Sequence, residues 1–483
     1  MKRNLKKFFI SKEISINNVL KKLNKKRTLY VVDKSYQLLG SITDGDLRRF
    51  LLKNKYIDKS LSIEKVYNKK PLYFFIGYDP LKLKKILSNK IKSIPILNNK
   101  KQIVEIFEGK ELYIPNYSPY LNGNEKKYVL DALDSGWISS RGKFIHKFEN
   151  YFKKFIKCKY ALTVSSGTSA LQLALMTIGI KPGDEVIVPG LTFYAPMNAI
   201  ISMGAKPIPV DVSLDNYCID LNLVEKKISN KTKAIIVVHL YGSPVDVQKL
   251  KNIKKKYKLA IIEDCAEAIG SYYRNKHVGV QGDISTFSFF GNKTVTTGEG
   301  GMFVTNNKKF FEIAKVKKNH GMSLNYKYFH TSTGLNFRMT NLQASIGLAQ
   351  MEQINIILNK KKTLIKKYKK NISKISNISF QSEKKGDVNS YWLFVVRLDK
   401  DFMKFKDKII KSYNKKGYDV RRIFYSLDEM PVRKFYNKNK INLKNSKILS
   451  NSCIALPCYP SLQLYEIDKI TNILADFIRS NKK

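Results

Sequence analysis

A chain of 483 residues, 43% apolar and 26% charged, has room for about three domains of ~150 residues and an ordinary globular balance. That excludes a disordered, collagen-like or disulfide-scaffold protein. The charge is lopsided, with 88 basic against 39 acidic side chains leaving +49, but 76 of the basic residues are lysine and only 12 arginine.

Residues 1–113 carry a net +17 and the remainder +32, so no arm or stripe holds the excess. Nucleic-acid readers favour arginine forks and concentrated patches. An even spread of lysine reads instead as solvated surface in a compositionally biased chain, and neither a nucleic-acid nor a membrane partner is expected. Such a surface still attracts an anionic substrate. The five cysteines, Cys158, Cys218, Cys265, Cys453 and Cys458, form no CxxC pair and no cluster with zinc spacing, so no metal is expected. Scattered free thiols point to a reducing cytosol. No apolar run approaches the ~18 residues that span a bilayer, and the basic N-terminus is followed by too short an apolar stretch for a signal peptide. A cytoplasmic protein is the expectation.

In chain order, residues 1–113 read as a small α/β unit with an internal repeat. Leu29–Val32 predicts a buried strand, Asp33–Gln37 a turn and Leu38–Thr43 a second strand. A helix starts near Asp44, where carboxylates suit the positive end of the helix dipole. The run SIPILNNKKQIVEIFEGKEL, Ser93 to Leu112, repeats this weakly. Two such units side by side resemble a CBS-domain pair, a module that binds adenine nucleotides between its halves. The resemblance assigns ligand contacts to Thr43 and Asp46. Phe107 and Lys110 stand at the matching positions of the second half, so one of the two sites is expected to be dead. A purely structural or oligomerising role is the alternative for the module.

The segment IPNYSPYL, Ile114 to Leu121, reads as a linker. Beyond it, apolar strands alternate with helical stretches: Glu185–Pro189, Pro207–Val212, Lys233–Leu240, Ala260–Glu263, Ser285–Phe289 and Gly301–Thr305. The alternation predicts a mostly parallel sheet covered on both faces, with its ligand beyond the carboxyl ends of the strands. A long helix is expected over Asn341–Ile372. A smaller α+β portion follows, with a strand over Trp392–Leu398 and a closing helix over Thr471–Ser480. The expected domains are 1–113, 114–350 and 351–483.

Three motifs on this sheet carry chemistry. SSGTSAL, Ser165 to Leu171, puts small residues ahead of a helix whose free N–H groups cradle a phosphate; alone, such a start is more often a plain cap. AIIEDCAEA, Ala260 to Ala268, ends a buried strand in Glu263 and Asp264. A carboxylate there is a poor core choice unless a cation faces it, a protonated pyridine nitrogen being one such partner and a helix cap the bland alternative. STFSFFGNKTVTTGEGGM, Ser285 to Met302, sets Lys293 in a turn with glycines at 291, 298, 300 and 301. Those glycines allow the backbone to approach a flat ligand, and burial beside a cationic ring lowers the amine's pKa, as Schiff-base chemistry requires.

Together these motifs resemble fold-type-I pyridoxal-phosphate enzymes, and more narrowly the sugar-nucleotide aminotransferases of the DegT/StrS family. Further matching runs are NGNEKKYVLDALDSGWISSRGKFIHKFE (Asn122–Glu149), KPGDEVIVPGLTFYAPMNAI (Lys181–Ile200), VVHLYGSP (Val237–Pro244) and STGLNFRMTNLQASIGLAQME (Ser332–Glu352). The run around Lys293 is most similar to the perosamine-synthase branch, which aminates C4 of a GDP-linked 4-keto-6-deoxyhexose. The resemblance implies pyridoxal 5'-phosphate as cofactor, glutamate as amino donor, a sugar nucleotide as acceptor and a role in surface-polysaccharide or glycan biosynthesis. It assigns Lys293 to bond the cofactor and shuttle the proton, and Asp264 to the pyridine nitrogen. Gly167, Thr168, Ser169 and Ser288 fall to the phosphate, Phe193 to the ring face and Glu267 to the phenolic oxygen. Asn336 is assigned to the phosphate of a second copy, which implies a homodimer with shared sites. Pro196 and Phe337 stand where relatives often carry Thr and Tyr. Trp137, Ser139, Arg141, His320, Tyr328, His330, Arg338, Arg421 and Arg422 are candidates to grip the diphosphate, the sugar or the donor carboxylate.

The alternatives are a sugar-nucleotide dehydratase, whose relatives replace the lysine by histidine, and a nucleotide-sensing scaffold with a degenerate site. A DNA-binding regulator built on this fold needs a helix-turn-helix that the N-terminus does not show.

Overall fold

The computed structural model describes residues 5–481 apart from 25–27, 55–57, 59, 77–85, 87–90, 92, 109–112 and 436–441. The chain divides into two compact units, Met1–Ile114 with Ser412–Asp419, and Pro115–Lys411 with Val420–Lys483.

In the smaller unit the strands Phe9–Ile10, Thr28–Val32 and Leu38–Thr43 form one sheet, the first pair parallel and the second antiparallel. Phe74–Phe75, Ser93–Leu97 and Ile103–Glu108 form a second sheet with the same sequence of pairings. The repeat follows from strands that are apolar on both faces. Leu29 and Val31 pack with Ile16, Val19 and Leu47, whereas Tyr30 and Val32 pack with Leu97, Ile103 and Ile106 of the other half. A strand covered on both sides needs a continuous apolar run rather than alternation, which is why TLYVV stands out in the sequence. The helix Asp44–Lys53 starts where expected. Lys110, and any helix after Glu108, lie outside the described residues.

The larger unit is built on seven strands in the order Tyr160–Val164, Gly301–Thr305, Ile284–Ser288, Ala260–Asp264, Thr232–Val238, Glu185–Pro189 and Lys206–Val210. All neighbours are parallel except Gly301–Thr305, which runs against both of its partners. Six of these strands match the sequence expectation to within two residues at each end. The seventh, Tyr160–Val164, was hidden in a short run without turn punctuation on its N-terminal side. It matters because its carboxyl end feeds Ser165, Ser166 and the helix Gly167–Ile178.

One face of the sheet is covered by the helix Lys143–Ile156, whose Phe144, Phe148 and Phe152 recur at helical spacing. Phe148 and Phe152 meet Phe289 and Phe287 at 5.1 and 4.9 Å between ring centres. The helix Asn341–Glu352 crosses this one closely at Gly347, where a Cβ would lie 2.6 Å from Phe148 Cε1. The long helix expected over Asn341–Ile372 is two helices, Asn341–Glu352 and Ile354–Ile372. At Gln353 (φ −95°, ψ 1°) the chain leaves helical geometry, while Met351 and Ile354 on either side of it stay in one core.

The C-terminal part carries the antiparallel strands Ile378–Phe380, Phe394–Leu398, Cys453–Leu456 and Arg421–Arg422 in that order. The closing helix, Leu464–Ser480, starts seven residues before the expected Thr471. Trp392 lies just before its strand rather than in it. Among the described residues, no helix is long and apolar enough to cross a membrane.

Candidate active site

The parallel strands bring Val238, Asp264 and Ser288 to one edge of the sheet, as the register pairs Val238 with Asp264 and Asp264 with Thr286. A cavity of about 280 Å³ opens there. Alternation along the strand Ala260–Asp264 sends its two carboxylates to opposite faces. Glu263 turns inward, wholly buried, and accepts from the amides of Gly279 (3.0 Å), Gln281 (2.9 Å) and Gly282 (2.5 Å). His239 Nε2 stands 3.1 Å from the same carboxylate. The amide of Val245 donates to His239 Nδ1 at 3.1 Å, so the ring proton sits on Nε2 and points at Glu263. Against the penalty of burial, His239 and the backbone amides hold Glu263 down to about 2.

Asp264 faces the cavity. Its Oδ1 accepts from the Ala266 amide at 3.0 Å. Burial pushes its pKa up, and the Ala266 amide and the Lys293 ammonium offset that only in part. A carboxylate so placed gains from a cationic partner.

Lys293 enters from the turn after the strand Ile284–Ser288. Its side chain is 12% exposed, and Nζ lies 3.5 Å from Glu267 Oε1. The ammonium also sits 3.8 Å from the centre of the Trp392 ring. The other oxygen of Glu267 accepts from the Tyr241 amide at 2.8 Å; burial raises this carboxyl as well, with Lys293 pulling the other way. Tyr241, Trp392 and Phe424 stack as one aromatic wall, Tyr241 lying 6.0 Å from Trp392 and 5.5 Å from Phe424.

Opposite lies the start of the helix Gly167–Ile178. Ser166 and Ser169 form a reciprocal capping box, with Ser169 N to Ser166 Oγ at 3.0 Å and Ser166 N to Ser169 Oγ at 2.8 Å. The amides of Gly167 and Thr168, in the first turn, have no helical carbonyl to reach and point outward. A Cβ on Gly167 would lie 2.8 Å from Ser288 Cβ, so only glycine keeps this corner open.

Eight of the residues singled out in the sequence therefore line one cavity: Gly167, Thr168, Phe193, Pro196, Asp264, Glu267, Ser288 and Lys293. Ser169 is not among them, because its hydroxyl is used inside the capping box. Asn336 is exposed and accepts from Arg338 Nε at 3.0 Å, outside the cavity. Arg338 also donates to Asn319 at 2.6 Å. Trp137 and Arg141 line a separate basic cleft of about 930 Å³ with Lys315 and Lys318, and the carbonyl of Ser139 accepts from the Asn341 amide. His320 and His330 are exposed, joined by a 2.9 Å bond from His330 Nδ1 to the His320 carbonyl. Tyr328 is exposed, and Arg421 and Arg422 form a short edge strand, with Arg422 paired to Asp407 at 3.5 Å. None of these lines the lysine's cavity in its own chain. In the smaller unit Thr43 and Asp46 form a capping box, and Asp46 pairs with Arg49 at 2.6 Å.

Sequence reasoning missed Trp392, Tyr241, Phe424 and Asn292. One signal was available: Trp392 is one of only two tryptophans in the chain, and a large ring with one N–H is seldom spent on a strand end without a partner for it.

The cavity suits a flat anionic ring. A glycine-only corner meets free amides at one end, a buried carboxylate waits without a cation, and a lysine approaches from the side. In addition, Asn292 Oδ1 is buried beside the cavity without a hydrogen-bond partner. Pyridoxal 5'-phosphate fits these residues.

The pattern that defines the DegT/DnrJ/EryC1/StrS aminotransferase family matches residues 119–475, and that of the CBS domain matches residues 1–53. The chain is 44% identical over 366 residues to GDP-perosamine synthase of Escherichia coli O157:H7, covering 76% of this chain and 98% of that protein. It is 40% identical over 365 residues to GDP-perosamine synthase of Vibrio cholerae, covering 75% and 99%. Among solved structures it is similar to Helicobacter pylori PseC, an aminotransferase involved in the biosynthesis of pseudoaminic acid. That match has a TM-score of 0.73 at 28% identity and covers 76% of this chain and all of the other. With a CBS domain at its N-terminus, the chain belongs to the DegT/DnrJ/EryC1/StrS family of pyridoxal-phosphate-dependent aminotransferases.

Proposed function

We propose that the protein moves an amino group from glutamate to C4 of a GDP-linked 4-keto-6-deoxyhexose, as a step in glycan or surface-polysaccharide synthesis. The observation that carries this is the cavity in which Lys293, Glu267 and Asp264 converge, in a chain 44% identical to a GDP-perosamine synthase. Pyridoxal 5'-phosphate supplies an electron sink that makes a proton on the neighbouring carbon labile. The chain's own residues do the rest. Gly167 and Thr168 amides and the Ser288 hydroxyl hold the phosphate, helped by Ser169 through the cap it completes. Asp264 holds a proton on the ring nitrogen, the cation its buried carboxylate lacks. Phe193 covers the ring face and Glu267 sits beside the phenolic oxygen. Lys293 would move the proton between carbons, with Glu267 Oε1 3.5 Å from its amine.

The remaining candidates act on the sugar nucleotide or on glutamate from a second copy. Trp137, Ser139, Arg141, His320, His330, Arg338 and Arg421 do not line the cavity of this chain's own lysine, so a homodimer with shared sites is part of the reading, with Asn336 reaching the partner's phosphate. The large domain is proposed to span 114–350 and the small one 351–483, behind a CBS pair over 1–113.

The test is incubation with glutamate and a panel of 4-keto-6-deoxy sugar nucleotides differing in base and sugar, with products read by mass. Conversion of a GDP-linked member to its amino sugar is expected. Turnover of only non-GDP members would move the substrate assignment, and no amination at all would defeat the reading.

A further inference from the structure

The turn that carries Lys293 closes on itself through Lys293 N to Phe290 O and Thr297 N to Phe289 O, both 2.9 Å. Those bonds leave the carbonyls of Asn292 and Lys293 facing out of the turn. Each is taken by an aromatic side chain from a distant part of the chain. Trp392 donates Nε1–H to Asn292 O at 2.6 Å. Tyr117 donates its hydroxyl to Lys293 O. A buried carbonyl without a donor is costly, and here two consecutive peptide planes are pinned on either side of the Lys293 Cα. The far side of the turn is tied down separately, by Thr296 Oγ1 to Phe289 O at 3.1 Å and by the buried Val295, so the two aromatic donors act on the lysine's own peptide planes.

The two donors are themselves braced. Next to Tyr117, Asn116 Nδ2 donates to Ala455 O at 3.0 Å, and the Cys458 amide donates to Asn116 O at 3.0 Å. Burial raises the Tyr117 phenol far above its ordinary value, so the hydroxyl keeps its proton and stays a donor. Trp392 is held by its amide to Tyr241 O at 3.1 Å, and its own carbonyl accepts from the buried Lys361 Nζ at 3.0 Å.

We propose that Tyr117 is a positioning residue for the transamination: through the Lys293 carbonyl, and with Trp392 on the preceding one, it holds the lysine amine in register with Glu267 and Asp264. The middle of the segment that reads as a linker thus meets the turn that carries Lys293. This inference rests on Lys293 having the role given above. An amine that must meet one carbon and then return a proton to another tolerates little misplacement, and an error of about 1 Å can cost ~10²-fold in rate.

The experiment compares four variants of the full-length, cofactor-loaded protein. Tyr117→Phe removes one hydroxyl and keeps the ring. Tyr273→Phe is the structural control, since it removes the hydroxyl of a buried ring that donates to Asp246 Oδ1 at 2.9 Å, neither residue lining the cavity. Trp392→Phe removes the second donor, and Lys293→Ala tests the reading beneath. For Tyr117→Phe we expect kcat to fall ~10-fold with KM for both substrates within about twofold. The pH at which the bound cofactor's visible absorbance changes should shift by ~0.5 unit or more. Tyr273→Phe should lower Tm to a similar degree and move neither kcat nor the absorbance titration. If Tyr117→Phe matches Tyr273→Phe in all three readouts, the proposal is overturned. If Tyr117→Phe does not fold, Tyr117→Met, which fills the space without a donor, decides by the same criteria. An active Lys293→Ala would instead sink the functional reading, an outcome that a silent Tyr117→Phe cannot imitate.

Discussion

Glu263 and Asp264 are neighbours in one strand, yet one is fully neutralised by its surroundings and the other is left wanting a cation. The difference follows from the pleat, which turns Glu263 toward His239 and three backbone amides and Asp264 toward the cavity. The two therefore predict different phenotypes. Glu263 is held at about 2 against an ordinary 4.5, a depressed carboxylate. Its contribution to stability is full above 4.5 and is lost as pH falls through that range toward 2. Glu263→Gln should thus lower the Tm strongly at pH 7, by the equivalent of about 3 kcal/mol. The deficit against wild type should shrink as pH is lowered from 5 toward ~3, read by thermal melts across that range. A deficit independent of pH would show that packing, not charge, is what Glu263 supplies. Asp264→Asn, by contrast, should fold with a Tm within a few degrees of wild type and lose ~10²-fold or more in kcat, because an amide cannot hold a proton on the ring nitrogen. Lys293→Ala should lose ~10³-fold or more, since among the described residues no other lysine lines the cavity to take its place.

Elements differ in how openly the sequence declares them, and the reason is physical. Strands buried on both faces are continuous apolar runs, so AIIED and GMFVT were legible; Tyr160–Val164, bounded by a polar Lys159 and a serine pair, carried no such contrast. The helix break at Gln353 has neither Gly nor Pro to mark it. Tertiary packing decides it, as Trp392 leaving its strand for the cavity is decided by its hydrogen bond to Asn292 O. What could be read was chemistry tied to local backbone: the helix start at Gly167, the acidic strand end and the lysine turn. The helix start gives a prediction of its own. Gly167→Ala should weaken cofactor binding ~10-fold or more while leaving the helix intact, since alanine is the better helix former but its Cβ meets Ser288 at 2.8 Å. Dialysis followed by absorbance titration with the cofactor measures this, and unchanged affinity would mean the phosphate sits elsewhere. In the smaller unit the helix Asp44–Lys53 is capped by the two residues that the CBS resemblance assigns to a nucleotide. Asp46→Ala should cost about 1 kcal/mol through the lost cap alone. If the module also senses adenine nucleotides, ATP, ADP or AMP should raise the Tm of wild type and not of Asp46→Ala; no shift in wild type would leave the cap as the whole role of the pair.

At the scale of the molecule, the cavity around Lys293 gathers residues proposed for the cofactor and none of the basic ones proposed for the substrates. Every arginine and histidine proposed for the substrates lies outside it in the same chain, while Trp137 and Tyr328 present 56% and 86% of their surfaces to solvent. Exposed aromatic rings beside such residues are poor surface choices unless something covers them. A second copy related by a twofold axis would cover both and carry the missing groups to the lysine, with each chain lending to the other what it cannot use itself. Complementation tests this directly. Lys293→Ala and Arg141→Ala should each be nearly inactive as pure dimers. In a mixed dimer one site receives both defects and the other receives an intact Lys293 from one chain and an intact Arg141 from its partner. Co-expressed at equal levels, half of the dimers are mixed and one of their two sites works, so activity should return to about a quarter of wild type. Sedimentation should give a particle of at least twice 55.7 kDa. If the mixture is no more active than the better parent, both groups serve a site within one chain and the shared-site reading fails, whatever the sedimentation shows.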